Sequence, residues 1–129
     1  MCVVLIVEDD PGIQDVLRFL AEANDMQVVA ADSCDAAIRE AKFHRPDLAI
    51  VDLGLPDRDG IELVSSIRSW SQLPIIVLSA RTAESQKLAA LRAGADEYVT
   101  KPFGAPELLA RMRALLGRGV PAAPPAGGR

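Results

Sequence analysis

The feature that most constrains this chain is an alternation of two periodicities. Short continuous apolar runs bounded by turn residues recur at Val3–Val7, Gln27–Ala31, Leu48–Val51, Ile75–Leu78 and Tyr98–Thr100. They read as strands buried on both faces. Between them the spacing becomes helical. Ile13, Val16, Leu17 and Leu20 follow i, i+3, i+4, i+7, Leu63, Val64 and Ile67 form a shorter stripe, and Leu108, Met112, Leu115 and Leu116 approximate another. Pro11 and Gly12 punctuate the start of the first helix. Ser33 is placed to cap a second helix running to about Phe43, after which Pro46-Asp47 turns the chain into the third strand. A strand–helix unit repeated five times predicts a parallel sheet wrapped by helices on both faces, and right-handed crossovers leave few topologies. The expected architecture is α/β, a flavodoxin-like (βα)5 fold with strand order 2-1-3-4-5.

With 129 residues, half of them hydrophobic, the chain suits one compact core. Residues 1–117 are expected to form that domain, and the Pro-, Ala- and Gly-rich stretch 118–129 a flexible linker or tail. Fourteen basic against 18 acidic residues give a net charge of -4, so no generally basic surface exists to hold nucleic acid or anionic lipid. Any DNA contact needs another domain. No basic segment precedes the first apolar run and no run approaches the ~20 residues of a membrane span, which makes the cytoplasm the expected compartment. Cys2 and Cys34 lack CxxC spacing and read as inert small apolar residues in a reducing environment.

In an open parallel sheet, ligands gather beyond the carboxyl ends of the strands. The first run delivers Glu8-Asp9-Asp10 there, the third Asp52, the fourth Ser79-Ala80 and the fifth Thr100-Lys101-Pro102. Carboxylates brought together repel one another unless a cation compensates, and a bound divalent metal resolves the conflict. Oxygen-only ligands favour Mg2+, which accepts one or two carboxylates plus phosphoryl oxygens. Asp52 is the candidate nucleophile, able to take a phosphoryl group as an acyl phosphate. Lys101 supplies fixed positive charge, while the Ser79 hydroxyl and the Ala80 backbone N–H are placed to donate to phosphoryl oxygens.

Each residue alone has an ordinary reading. An acidic triplet after a strand suits the positive end of a following helix. Asp52 by itself caps a loop, Lys101 is a surface charge, and Tyr98 is packing with its hydroxyl in water. Asp57-Arg58-Asp59-Gly60 reads as a turn into the third helix, since the later spacing of a calcium loop is absent. His44 suits an exposed helix end, and Trp70 and Phe43 are packing or surface anchors. Joint placement on four strand ends is what favours a phosphoryl site.

The motifs "LIVEDD", "DLGLPDRDGIEL", "PIIVLSAR", "LRAGADEYVTKPF" and "ELLARMRALL" stand in one order between Val3 and about Leu116. In this the sequence resembles the receiver domains of bacterial two-component response regulators. The segments "AGADEYVTKPF" and "ELLARMRALL" are most similar to the OmpR/PhoB transcription-factor subfamily, and "DLGLPDRDGIEL" with "LSAR" and "KPFG" to its potassium-responsive Kdp branch. The resemblance implies a regulatory phosphoacceptor domain, not a separate enzyme. Asp52 would accept a phosphoryl group from a sensor histidine kinase. Mg2+ would be held by Asp9, Asp52 and the backbone carbonyl of Gly54, with Glu8 acting through a metal-bound water. Ser79 and Tyr98 stand at the switch positions, and Lys101 precedes a usually cis Pro102. Asp10 has no assigned role.

The resemblance further implies a homodimer through the fourth helix, fifth strand and fifth helix, with Lys87 pairing Glu107 and Glu97 pairing Arg111 across it. Arg92 departs from the pattern: it stands where an acid is usual, and its partner position is Arg113. DNA would be reached through a C-terminal effector domain beyond this sequence, so the chain is expected to be either an excised receiver, the favoured reading, or a stand-alone one. Three rivals are weaker. A haloacid-dehalogenase-type phosphatase needs Asp-x-Asp after the strand, and Asp52-Leu53-Gly54 lacks the second acid. A flavin or nucleotide binder needs a Gly/Ser/Thr-rich loop where Glu8-Asp9-Asp10 repel phosphates. A receiver that only binds proteins has no use for the complete acid, Ser79 and Lys101 set.

Overall fold

The computed structural model describes residues 2–118. The order is β1 (Val3–Val7), α1 (Pro11–Glu22), β2 (Gln27–Ala31), α2 (Cys34–His44), β3 (Leu48–Val51), α3 (Gly60–Arg68), β4 (Ile75–Ser79), α4 (Glu84–Ala93), β5 (Glu97–Thr100) and α5 (Ala105–Arg118). The five strands form one parallel sheet in the order β2-β1-β3-β4-β5, as the alternation predicts. The last two strands each extend one residue beyond the apolar run, taking in Ser79 and Glu97. The expected tail lies outside the described residues apart from Arg118, which closes α5.

Successive strand side chains point to opposite faces, so the apolar runs feed two cores. Leu5, Val51 and Val77 face α2, α3 and α4, where Ala37, Leu63 and Ile67 meet them. Ile6, Ile50 and Ile76 face α1 and α5, against Leu17, Leu108 and Met112. Each large aliphatic side chain fully removed from water contributes about 1.5–3 kcal/mol, and this two-sided burial holds the strand ends in register.

The first helical stripe differs from its expected form. Val16 is 53% exposed and Phe19 75%, whereas Leu17 and Ala21 are buried. Residues turn by about 100° per position on a helix, so the face centred on Leu17 and Ala21 carries Ile13 and Leu20 at its edges and leaves Val16 outside. Ser33 caps α2 as the sequence suggests, its Oγ accepting from Ala36 N at 3.1 Å. Arg45 ends that helix in the left-handed region. Gly94 ends α4 at φ 123°, a conformation that L side chains rarely adopt.

Candidate functional site

β1, β3, β4 and β5 end side by side, and their next residues converge. The Asp52 amide donates to Val7 O at 2.9 Å and the Glu8 amide to Ala31 O at 3.0 Å, which carries the sheet ladder to the edge of the site. Glu8 is 2% exposed, Asp52 and Ser79 are also buried, and Asp9 is exposed. One carboxylate oxygen from each of Glu8, Asp9 and Asp52 lies within 4.8 Å of the others. Lys101 Nζ stands 2.9 Å from Glu8 Oε1 and 3.4 Å from Asp52 Oδ1. The other Glu8 oxygen accepts from Asp10 N at 3.1 Å.

Burial pushes the Glu8 carboxyl above its ordinary value, and the hydrogen bonds from Lys101 and Asp10 N offset only part of that. Burial also opposes the Lys101 ammonium. The Glu8 hydrogen bond and the Asp52 and Glu8 charges outweigh it and hold the lysine pKa above its usual value. Three clustered carboxylates therefore face a single ammonium, a donor set made only of hard oxygens with a deficit of positive charge. Such a set fits Mg2+. Gly54 lies beside it: a Cβ built on Gly54 would come 3.8 Å from Asp52 Oδ2.

The loop after Asp52 is held by Gly60, whose amide donates to Leu53 O at 2.8 Å. A Cβ on Gly60 would approach Asp52 O to 2.5 Å and Leu53 Cα to 2.7 Å, so only glycine permits this contact. On the β4 side, Ser79 Oγ accepts from Arg81 N at 3.1 Å, and Lys101 N donates to Ser79 O at 2.9 Å. The Tyr98 hydroxyl donates to Arg81 O at 2.7 Å. Thus Ser79 and Tyr98 engage the two polar backbone groups of one residue. Lys101-Pro102 is a cis peptide, and Ala80 is exposed at the rim.

Several residues acquire roles that local sequence signals left open. Asp10 leaves the acidic cluster and caps α1, its Oδ1 accepting from Gly12 N at 2.9 Å and Ile13 N at 3.2 Å. Asp59 caps α3 through Ile61 N at 2.9 Å. Asp57 caps a helix remote in sequence: its two oxygens accept from Cys34 N at 2.9 Å and Asp35 N at 3.0 Å, at the start of α2. These amides hold the Asp57 carboxyl at about 2. Arg81, quoted within "LSAR" but given no role, reaches Asp59 at 3.0 Å, Gln86 at 2.9 Å and Leu53 O at 3.4 Å. It ties the β4–α4 loop to the segment after Asp52.

The expected dimer residues pair within the chain. Arg111 bonds Glu97 and, at 3.3 Å, Glu107, while Lys87 stands 3.8 Å from Glu84. Arg113 turns to Asn24 Oδ1 at 3.0 Å, in the loop after α1, and Arg92 is exposed on α4.

Comparison with known proteins bears on the family and the fold. The chain is 53% identical over 115 residues to the KDP operon transcriptional regulatory protein KdpE of Escherichia coli, covering 89% of this chain and 51% of that protein. It is 49% identical over 123 residues to the KdpE of Mycobacterium tuberculosis strain H37Rv, covering 95% and 54%. The chain thus spans about half the length of these relatives. Among solved structures, the BeF3-activated N-terminal receiver domain of Klebsiella pneumoniae RstA superposes with a TM-score of 0.85 at 32% identity, over 88% of this chain and 97% of that one. Residues 4–113 match the model of the response regulator receiver domain, and on that match the chain belongs to the response regulator receiver family.

Proposed function

We propose that this domain accepts a phosphoryl group on Asp52 from a sensor histidine kinase and that the modification resets its α4-β5-α5 face. The observation that carries the reading is Lys101 Nζ lodged between Glu8 Oε1 at 2.9 Å and Asp52 Oδ1 at 3.4 Å. A cation so placed would supply positive charge to the oxygens of a phosphoryl group being transferred to Asp52. Asp52 attacks phosphorus, the P–N bond to the donor histidine breaks, and the imidazole leaves as the acyl phosphate forms. Attack of water on that phosphorus later returns the free carboxylate and inorganic phosphate. Asp9, Asp52 and the Gly54 carbonyl would hold Mg2+, with Glu8 reaching it through water. When bound, the ion neutralises the phosphoryl oxygens.

Within the chain, Ser79 Oγ now accepts from Arg81 N. A phosphoryl oxygen on Asp52 offers that hydroxyl a stronger, charged acceptor, with the Ala80 N–H as a second donor. Drawing Ser79 away frees Arg81 N and repositions the carbonyl that Tyr98 holds, so the charge change is passed to α4 and β5. Opening the Arg111 pairs with Glu97 and Glu107 would supply cations and acids for a two-fold partner, together with Lys87. Through that dimer a C-terminal effector would act on DNA, in keeping with the transcriptional regulators to which the chain is similar.

Intact-mass measurement with acetyl phosphate tests the reading. One phosphoryl group is expected in the presence of Mg2+, and little without it. Asp52→Asn should remain unlabelled at the same exposure. Metal-independent labelling, or labelling of the Asp52→Asn protein at wild-type speed, would remove the basis of the proposal.

A further inference from the structure

The end of the sheet remote from the acidic cluster carries a surface that phosphoryl chemistry does not use. The last turns of α2 present Arg39, Lys42, Phe43, His44 and Arg45, and the connection from α3 to β4 brings Trp70 alongside. Phe43 is 81% exposed and Trp70 41%. Lys42 Nζ stands 5.2 Å from the centre of the Trp70 ring, and Phe43 meets His44 edge-on at 4.8 Å. A groove of about 510 Å³ opens between the two elements, lined by Ala41, Lys42, Arg45, Pro46, Trp70 and Leu73 among others.

Cations at a helix C-terminus favour the macrodipole, and His44 is held by Glu40 at 3.1 Å. That accounts for part of the patch. Among the described residues, however, Arg39, Lys42 and Arg45 have no carboxylate within 4.0 Å, in a chain whose net charge is -4. The dipole also gives no reason for two aromatic rings in water. Cations without a carboxylate partner around an apolar concavity complement a ligand that is acidic outside and apolar at its centre.

We propose that this groove docks an acidic linear peptide segment of a partner protein, one aromatic or large aliphatic side chain entering against Trp70 and Leu73. Its carboxylates would pair with Lys42, Arg45 and Arg39. The concavity favours a peptide over a membrane, which aromatic side chains engage by projecting into it. Extended polyanions also meet the remaining negative surface of the molecule, whereas a short peptide interacts mainly within a Debye length of about 8 Å. This docking is independent of Asp52.

The chain has one tryptophan, so its fluorescence reports the groove directly. The probe is a synthetic octapeptide of Asp and Glu with a central Phe. We expect a saturable change in Trp70 emission, weakened about tenfold in Lys42→Glu/Arg45→Glu through the loss of two charge pairs. Arg39→Glu, at an exposed helical position, should weaken binding in the same direction, and Asp52→Asn should bind as wild type. Circular dichroism verifies that each variant is folded. Absence of a saturable change, equal binding of the Phe→Ala peptide, or undiminished binding by folded charge-reversal variants would overturn the proposal. So would a larger emission change with phosphatidylglycerol vesicles or single-stranded oligo(dT) at matched concentration.

Discussion

At Lys101, two buried carboxylates share one ammonium, and this dependence makes the residue informative. Replacing it with alanine leaves Glu8 buried against Asp52 without the hydrogen bond that partly offsets its desolvation. Labelling of Asp52 by acetyl phosphate should slow by about 10²-fold or more, the effect of losing a preorganised charge at a developing anion. A time course of intact mass checks it. Gly60 makes a different demand, because a Cβ there would strike the Asp52 carbonyl and Leu53 Cα rather than a movable side-chain end. Gly60→Ala should destabilise the fold by roughly 1–3 kcal/mol, read from its urea midpoint, and slow labelling by displacing Asp52. The convergence of Glu8, Asp9, Asp52 and Lys101 was legible in the sequence because β-strand ends sit at predictable places in a parallel sheet. The pull on Gly60 was not, since it depends on how closely the α3 N-terminus crosses the loop after β3.

At the level of elements, caps separate what local sequence signals report from what they cannot. Ser33 and Asp10 act within three residues of the backbone N–H groups that donate to them, and Ser33 was recognisable for that reason. Asp57 reaches α2 across 23 residues of sequence, so the motif that contains it suggests only a turn. Its consequence is measurable in acid. The carboxyl sits at about 2 in the folded state against an ordinary 3.8, so the folded protein binds this proton less readily than the unfolded chain. The stabilisation is fully present above the unfolded value and is lost as pH falls from about 4 to about 2. Asp57→Asn should lower the urea midpoint at pH 7, and the difference from wild type should shrink towards pH 2. Periodicity was likewise sufficient to find α1 but not to orient it. Val16 satisfies the spacing, yet the face buried against the sheet is centred on Leu17 and Ala21.

Across the whole molecule, anchoring is unequal, and the weakly held part is the part assigned to move. β3 is buried from end to end, whereas α4 has one buried residue, Ala90, no side-chain cap at Ala83, and Leu88 and Leu91 exposed on its outer face. Its charged sequence does not disclose this, because a rigid helix and a bistable one have similar patterns. The difference lies in tertiary attachment. Gly94 O accepts from Arg68 Nε at 3.1 Å and Nη2 at 2.7 Å, so the C-terminal end is fastened while the N-terminal end depends on the Arg81 loop. Amide hydrogen exchange should therefore show earlier opening at the first turn of α4 than in β3. Beryllofluoride with Mg2+ imitates the phosphoryl group, and on the proposed mechanism it should slow exchange in α4 while producing a dimer by light scattering. On the same proposal the dimer would cover the exposed Leu88 and Leu91, so Leu88→Glu should abolish it without preventing phosphorylation of Asp52. If α4 exchange were unchanged by beryllofluoride while the anion remained bound at Asp52, the route from Ser79 through Arg81 to α4 would be wrong.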